Sequence, residues 1–234
     1  MGIQTIINNA TFINIDRRKV TASSMSRSGH YKTAERSPSP YSFTLGMHSG
    51  LKYSQNRALI EDLNSMDRIE EANVSLNNNS NMNYLTAYQG DIEQAQLDNI
   101  TVNAATGSNI YISTSSATGS GNLFLKGDFI MPEGNTSQYR YPYQVTADVT
   151  FSVSGNITVP VHRPVLSQTG VALTSGGLRV GNDVRFNVKA TVMPSYNILP
   201  YDVLSFDSEF ELIEVISEQT PQPAATASYT LYTP

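Results

Sequence analysis

Residues 41–69 read YSFTLGMHSGLKYSQNRALIEDLNSMDRI, and the period of the stretch changes halfway along it. Tyr41, Phe43, Leu45 and Met47 alternate with Ser42, Thr44 and Gly46, the two-residue period of a half-buried β-strand. Ser49–Gly50 marks a turn. Leu59, Ile60, Leu63 and Met66 then fall at i, i+1, i+4 and i+7, one face of an α-helix. Those four side chains are expected to dock the helix on a sheet. Ser54 is placed to cap it, and Arg57–Glu61 is an i,i+4 pair on its outer face. After Asn73 the two-residue period returns at Val74–Leu76. No other stretch carries a comparable helical pattern. The sequence therefore predicts a mainly β, β-rich α+β fold: an antiparallel β-sandwich or barrel with one flanking α-helix.

Toward the N-terminus, Ile3, Ile6, Ile7, Phe12 and Ile13 read as a strand rather than as a secretory signal, because no basic segment or continuous apolar run is present. Residues 26–40, SRSGHYKTAERSPSP, have almost nothing to bury, and Pro38 and Pro40 exclude them from a central strand. They are expected to form an extended polar arm ordered by a partner.

Toward the C-terminus, turn-rich segments separate short strands at Ile100–Val102, Ile110–Ile112 and Leu123–Met131, with a turn at Gly127–Asp128. Tyr141, Tyr143, Val145, Ala147, Val149 and Phe151 alternate in the longest strand signal of the chain. Gly155–Asn156 then predicts a hairpin returning through Ile157, Val159 and Val161. A second hairpin is expected between Val171–Leu173 and Leu178–Val180. Val184 to Val192 alternate cleanly, Met193–Pro200 reads as a loop, and Val203–Phe206 and Phe210–Val215 close the fold. Residues 1–216 are thus expected to form one β-domain, with a division into two β subdomains near 90–120 as an alternative. Residues 217–234, rich in Pro, Thr and Ala, read as a tail.

Composition excludes several functions. There is no cysteine, so disulfides and thiolate metal sites are unavailable, and His30, His48 and His162 have no partner at ligand spacing. No metal or cofactor is expected. Charged residues are 15% of the chain and the net charge is −5. That balance argues against a duplex-binding protein, which carries a basic stripe. The basic cluster Arg17–Lys19, with Arg27, Lys32 and Arg36 downstream, reads as a solvated or interface-facing arm rather than a nucleic-acid patch. No apolar run is long enough to span a membrane.

Phosphate-loop, dinucleotide and nucleophile-elbow motifs are absent from the sequence. Carboxylates cluster at Glu61, Asp62, Asp67, Glu70 and Glu71, and again at Asp207, Glu209, Glu211 and Glu214. A glycosidase would need two of them across one cleft, but alternate outward residues on an exposed strand look the same. Tyr139, Tyr141 and Tyr143 share a strand face, which suits either sugar stacking or packing of a sheet face.

Several short blocks, in order, resemble tail-tube and baseplate-ring proteins of tailed bacteriophages. In the first half they are Arg27-Ser28-Gly29, Arg36, Tyr41-Ser42-Phe43, Leu51-Lys52-Tyr53, Arg57-Ala58-Leu59-Ile60 and Asp67-Arg68. In the second half they are Lys126-Gly127-Asp128-Phe129-Ile130, Tyr141-Pro142-Tyr143, Val161-His162-Arg163-Pro164, Val180-Gly181-Asn182-Asp183-Val184, Met193-Pro194 and Phe210-Glu211-Leu212-Ile213-Glu214. The likeness spans most of residues 12–216. It implies a virion structural protein, not an enzyme, with a β-sandwich or barrel repeated around a homo-hexameric ring. Such a ring meets other tail-tube and baseplate proteins and passes DNA through its lumen as transient cargo. The resemblance assigns Arg27, Arg36, Arg57, Tyr141 and Tyr143 to contacts between subunits. The alternative is a receptor- or carbohydrate-binding β-sandwich of the virion surface.

Overall fold

Ile3, Ile6 and Ile7 lie three and four residues apart, the spacing of one helical face. The segment Gly2–Asn8 is a helix, α1, and all three isoleucines are buried. The expectation of a strand fails here because a strand would turn Ile6 and Ile7 to opposite faces, and only the helix buries both. This computed structural model of the 234-residue chain describes residues 2–17, 21–25, 27, 31–35, 39–47, 50–65, 71–78, 82–133, 141–153, 155–166 and 176–216.

After α1 come β1 (Ala10–Asp16), β2 (Thr21–Met25), β3 (Tyr31–Glu35) and β4 (Ser42–Met47). β5 (Leu51–Lys52) leads through a 3-10 turn at Tyr53–Gln55 into α2 (Arg57–Ser65), and β6 (Ala72–Val74) follows. The middle of the chain holds α3 (Gln94–Leu97), β7 (Thr101–Thr106), β8 (Asn109–Ser113), β9 (Asn122–Phe124) and β10 (Phe129–Pro132). Then come β11 (Tyr143–Gln144), β12 (Val149–Thr150), β13 (Asn156–Pro160) and β14 (Gly176–Val180). β15 (Phe186–Val192), β16 (Tyr196–Leu199), β17 (Val203–Phe206) and β18 (Phe210–Glu214) end the described fold. It is mainly β and antiparallel, with three α-helices among the described residues where the sequence suggested one.

The first core is built on a five-stranded sheet of order β1-β4-β18-β15-β6. Alternation along β4 and β15 sends Phe43, Leu45, Phe186 and Val188 to one buried face. Register places Phe43 opposite Leu212 and Leu45 opposite Phe210. Phe43 and Phe186 meet edge-to-face at 5.1 Å. α1 and α2 contact each other, and Leu59, Ile60 and Leu63 enter the same core, as their spacing predicts. Met66 lies outside the described residues. Gln4 ties α1 to the chain leaving β6: its amide donates to the Ser75 carbonyl at 2.9 Å and accepts the Ser75 N–H at 2.9 Å.

The second core sits inside a six-stranded antiparallel sheet of order β11-β10-β14-β7-β8-β13. The sheet curls back on itself: Val145, just after β11, bridges Val161, just after β13. Thr146 N–H donates to the Pro160 carbonyl and His162 N–H to the Gln144 carbonyl, both at 3.0 Å. Residues 92–180 supply most of this core, so it is inserted between β6 and β15 of the first. β10 is a shared wall. All four of its residues are buried, Phe129 and Met131 facing the first core and Ile130 the second.

The expected hairpin of 141–151 with 157–161 does not form. β13 pairs with β8 along its whole length, and only the Val145–Val161 bridge joins the expected partners. The long strand signal also breaks after Val145. Lys126 N–H donates to the Asp148 carboxylate at 2.8 Å, and the chain turns there so that β12 can pair with β9. The loop expected at 193–200 contains β16, which pairs with β17, and β17 in turn with β5. Ser54 does not cap α2; its N–H donates to Asp202 at 2.8 Å, and its hydroxyl donates to the other carboxylate oxygen. The hairpin partner Val171–Leu173, the tail at 217–234 and Arg36 lie outside the described residues.

Candidate functional site: a buried polar junction and three exposed surfaces

Arg163 follows the barrel strand β13 by three residues, and Glu214 ends β18 of the five-stranded sheet. Their meeting point joins the two cores. Arg163 Nη2 and Nη1 donate to Glu214 Oε1 and Oε2, each at 2.7 Å. The remaining donors of the two terminal nitrogens reach the Ser39 carbonyl at 3.1 Å and the Pro142 carbonyl at 2.9 Å. Glu214 Oε2 also accepts the Tyr41 N–H at 3.0 Å, and Glu214 N–H donates to the Tyr41 carbonyl at 2.7 Å. Arg163 is 1% exposed and the Glu214 side chain 0%. A bidentate pair this deeply buried needs such supplementary bonds to offset the desolvation of two charges.

Three tyrosine rings enclose the guanidinium. Its carbon lies 5.3 Å from the Tyr41 and Tyr143 ring centres and 6.0 Å from that of Tyr141, within cation–π range. Burial disfavours the charge on Arg163, but the hydrogen-bonded Glu214 carboxylate outweighs that and raises its pKa. Burial likewise drives the Tyr41 and Tyr143 hydroxyls well above their usual range, against the lowering field of Arg163. Tyr143 Oη accepts the Leu166 N–H at 2.8 Å. Next to this cage, His162 Nδ1 accepts the Gln144 N–H at 3.0 Å, so the neutral ring carries its proton on Nε2. Burial first, then Arg163, lowers its pKa from 6.5 to about 3. Tyr41 Oη, His162 Nε2 and Arg163 Nε have no hydrogen-bond partner among the described residues.

These positions revise the expected contacts. Tyr141 and Tyr143 are packed inside this chain around Arg163, so they do not offer a face to a neighbouring subunit. Nor do they form a sugar platform. Glu214, one of the clustered carboxylates, is consumed by the ion pair. Sequence reasoning passed over Arg163 as a binding centre. The available signal was an arginine set between an apolar strand and a proline, with carboxylates elsewhere on alternating strands. Four sequence segments, 41–43, 141–143, 161–164 and 210–214, meet at this one point.

Three surfaces remain open. Arg27 is exposed at the turn of the β2–β3 hairpin, and Met25 on β2 is 73% exposed. Among the described residues, β2 and β3 pair only with each other and join no other sheet. The β16–β17 hairpin exposes Ile198, Leu199 and Tyr201, the last 97% exposed. Arg57 lies on the outside of α2, its guanidinium 5.4 Å from the Tyr53 ring. A polar cleft of about 390 Å³ opens between α3 and β14, with Gln94, Asp98, Glu133, Arg179 and Asp183 on its walls. Glu133 is ion-paired with Arg179 there.

Among the described residues, no three His, Cys, Asp or Glu side chains converge as metal ligands, and no helix is long and apolar enough to cross a membrane. No protein-family model matches this chain, and no curated protein matches it.

Proposed function

We propose that this chain is a virion structural protein, a ring-forming subunit of a phage tail tube or tube–baseplate junction. One observation carries the reading: the β2–β3 hairpin is a sheet of two strands that pairs with no other strand among the described residues. A lone two-stranded hairpin is marginally stable in water, so an element of this kind is built to be completed by a neighbour. The apolar tip of β16–β17 adds a second unsatisfied surface. Cyclic assembly would use such elements heterologously, one face of a subunit meeting a different face of the next. The buried junction fits a subunit that must hold two cores in fixed relation while neighbours load it. In this reading other tail proteins are the partners, and DNA is transient cargo of the lumen.

The test is the particle formed in native buffer, by light scattering and negative-stain imaging. A six-fold ring with a central hole is the expected result. A compact trimer without a hole would overturn the ring and favour a virion-surface adhesin.

A further inference from the structure

The hairpin and the rest of the chain carry opposite charge. Residues 17–36 hold Arg17, Arg18, Lys19, Arg27, Lys32 and Arg36 against Glu35 alone, a net +5. With the whole chain at −5, the other 214 residues therefore carry −10. Six of the fifteen Lys and Arg residues lie in these twenty positions, so the arm is a cation mounted on an anion.

Resting on the assembly reading above, we infer that the basic β2–β3 hairpin docks on the acidic body of a second copy of this chain, in the cleft between α3 and β14. The cleft has the matching sign. Asp98, Glu133 and Asp183 line it, and its single cation, Arg179, is already held by Glu133. Asp98 is exposed at the end of α3, and Arg27 is exposed at the hairpin turn. The hairpin's strands pair with no other strand among the described residues. A nucleic acid is the poorer occupant, because a body of −10 would repel a polyanion brought up to the arm. Another copy brings arm and cleft together in equal number, and a heterologous contact of this kind makes a ring when its rotation closes.

The absence of native cysteine makes the test direct. A tagged Ser24→Cys chain is mixed with an untagged Gln94→Cys chain, and a short bis-maleimide is added while light scattering reports the particle mass. Both positions are exposed, so neither substitution threatens the fold. A mixed, cross-linked dimer is expected at 0.15 M salt. At 1 M salt, where the screening length falls from about 8 Å to about 3 Å, its yield should drop several-fold. Arg27→Glu in the tagged chain should lower the yield to a similar extent, and Asp98→Lys in the untagged chain should restore it. An assembled particle that yields no mixed dimer, or a yield indifferent to Arg27→Glu, overturns the docking site and leaves the assembly reading standing. A monomer at every concentration overturns both. Retardation of duplex DNA by the arm, without the cross-link, replaces the second copy with nucleic acid.

Discussion

At the scale of single residues, Arg163 and Glu214 are the most consequential pair. Arg163→Met leaves the Glu214 carboxylate buried with only the Tyr41 N–H, and removing one partner of a buried ion pair costs about 3–5 kcal/mol. Urea unfolding should show that loss. Adding Glu214→Leu to Arg163→Met should recover part of it, since no unpaired charge remains; the rest stays lost with the bonds to the Ser39 and Pro142 carbonyls. A double variant as unstable as the single one would show that packing, not charge, governs the site. His162 gives a pH dependence. The folded ring resists protonation down to about pH 3, whereas the unfolded ring takes a proton near 6.5. Between those values the unfolded state binds more protons, so stability falls as pH drops through that window. Melting temperature should decline from pH 7 to pH 4.5 in the natural protein. His162→Asn, whose side-chain carbonyl can accept the Gln144 N–H, should decline less. Equal slopes would assign the acid sensitivity to other groups.

At the scale of elements, local periodicity was informative and pairing was not. The strand–helix pattern of 41–65 is present in β4 and α2 because both halves bury against one sheet, and that requirement is written in the spacing of Phe43, Leu45, Leu59, Ile60 and Leu63. The partner of a strand is decided by distant chain. β13 could meet 143–151 or β8 with equal local propriety, and closure of the barrel selected β8. α1 was misread because three isoleucines in seven residues suit a strand by composition while their spacing suits a helix. Residues 31–35, expected within an extended polar arm, pair with β2 through their backbone. The β16–β17 loop carries a prediction of its own. Tyr201 and Asp202 hold φ of 67° and 66°, a left-handed conformation that costs a non-glycine residue about 1–2 kcal/mol. Asp202 accepts bonds from Ser54 in return; the Tyr201 side chain is in solvent. Tyr201→Asn should raise the urea midpoint, because asparagine tolerates this conformation. If the loop tip is an assembly contact, the same substitution should lower the particle mass. A stabilised chain with unchanged mass would remove Tyr201 from the interface.

At the scale of the whole molecule, the two cores and the proposed assembly contacts lie in different parts of the chain. Two cores, β10 between them and the Arg163–Glu214 junction beside it, account for the fold without β2 or β3. Ser23, Ser24, Met25 and Arg27 of the hairpin are exposed and belong to neither core. Polarity and prolines set this segment apart in the sequence, and the sheet order sets it apart from the larger sheets of the described fold. Replacing residues 20–36 with a short Gly-Ser linker should therefore leave the melting temperature within a few degrees of the natural value. β1 and β4 remain paired through six register positions, from Ala10 opposite Met47 to Asp16 opposite Ser42, and the linker has only to span their adjacent ends. The same deletion should abolish the assembled particle and leave a monomer by light scattering. A deletion that unfolds the chain would place the hairpin inside the folding unit, and one that assembles normally would shift the assembly contact to the β16–β17 tip, where Ile198, Leu199 and Tyr201 stand exposed.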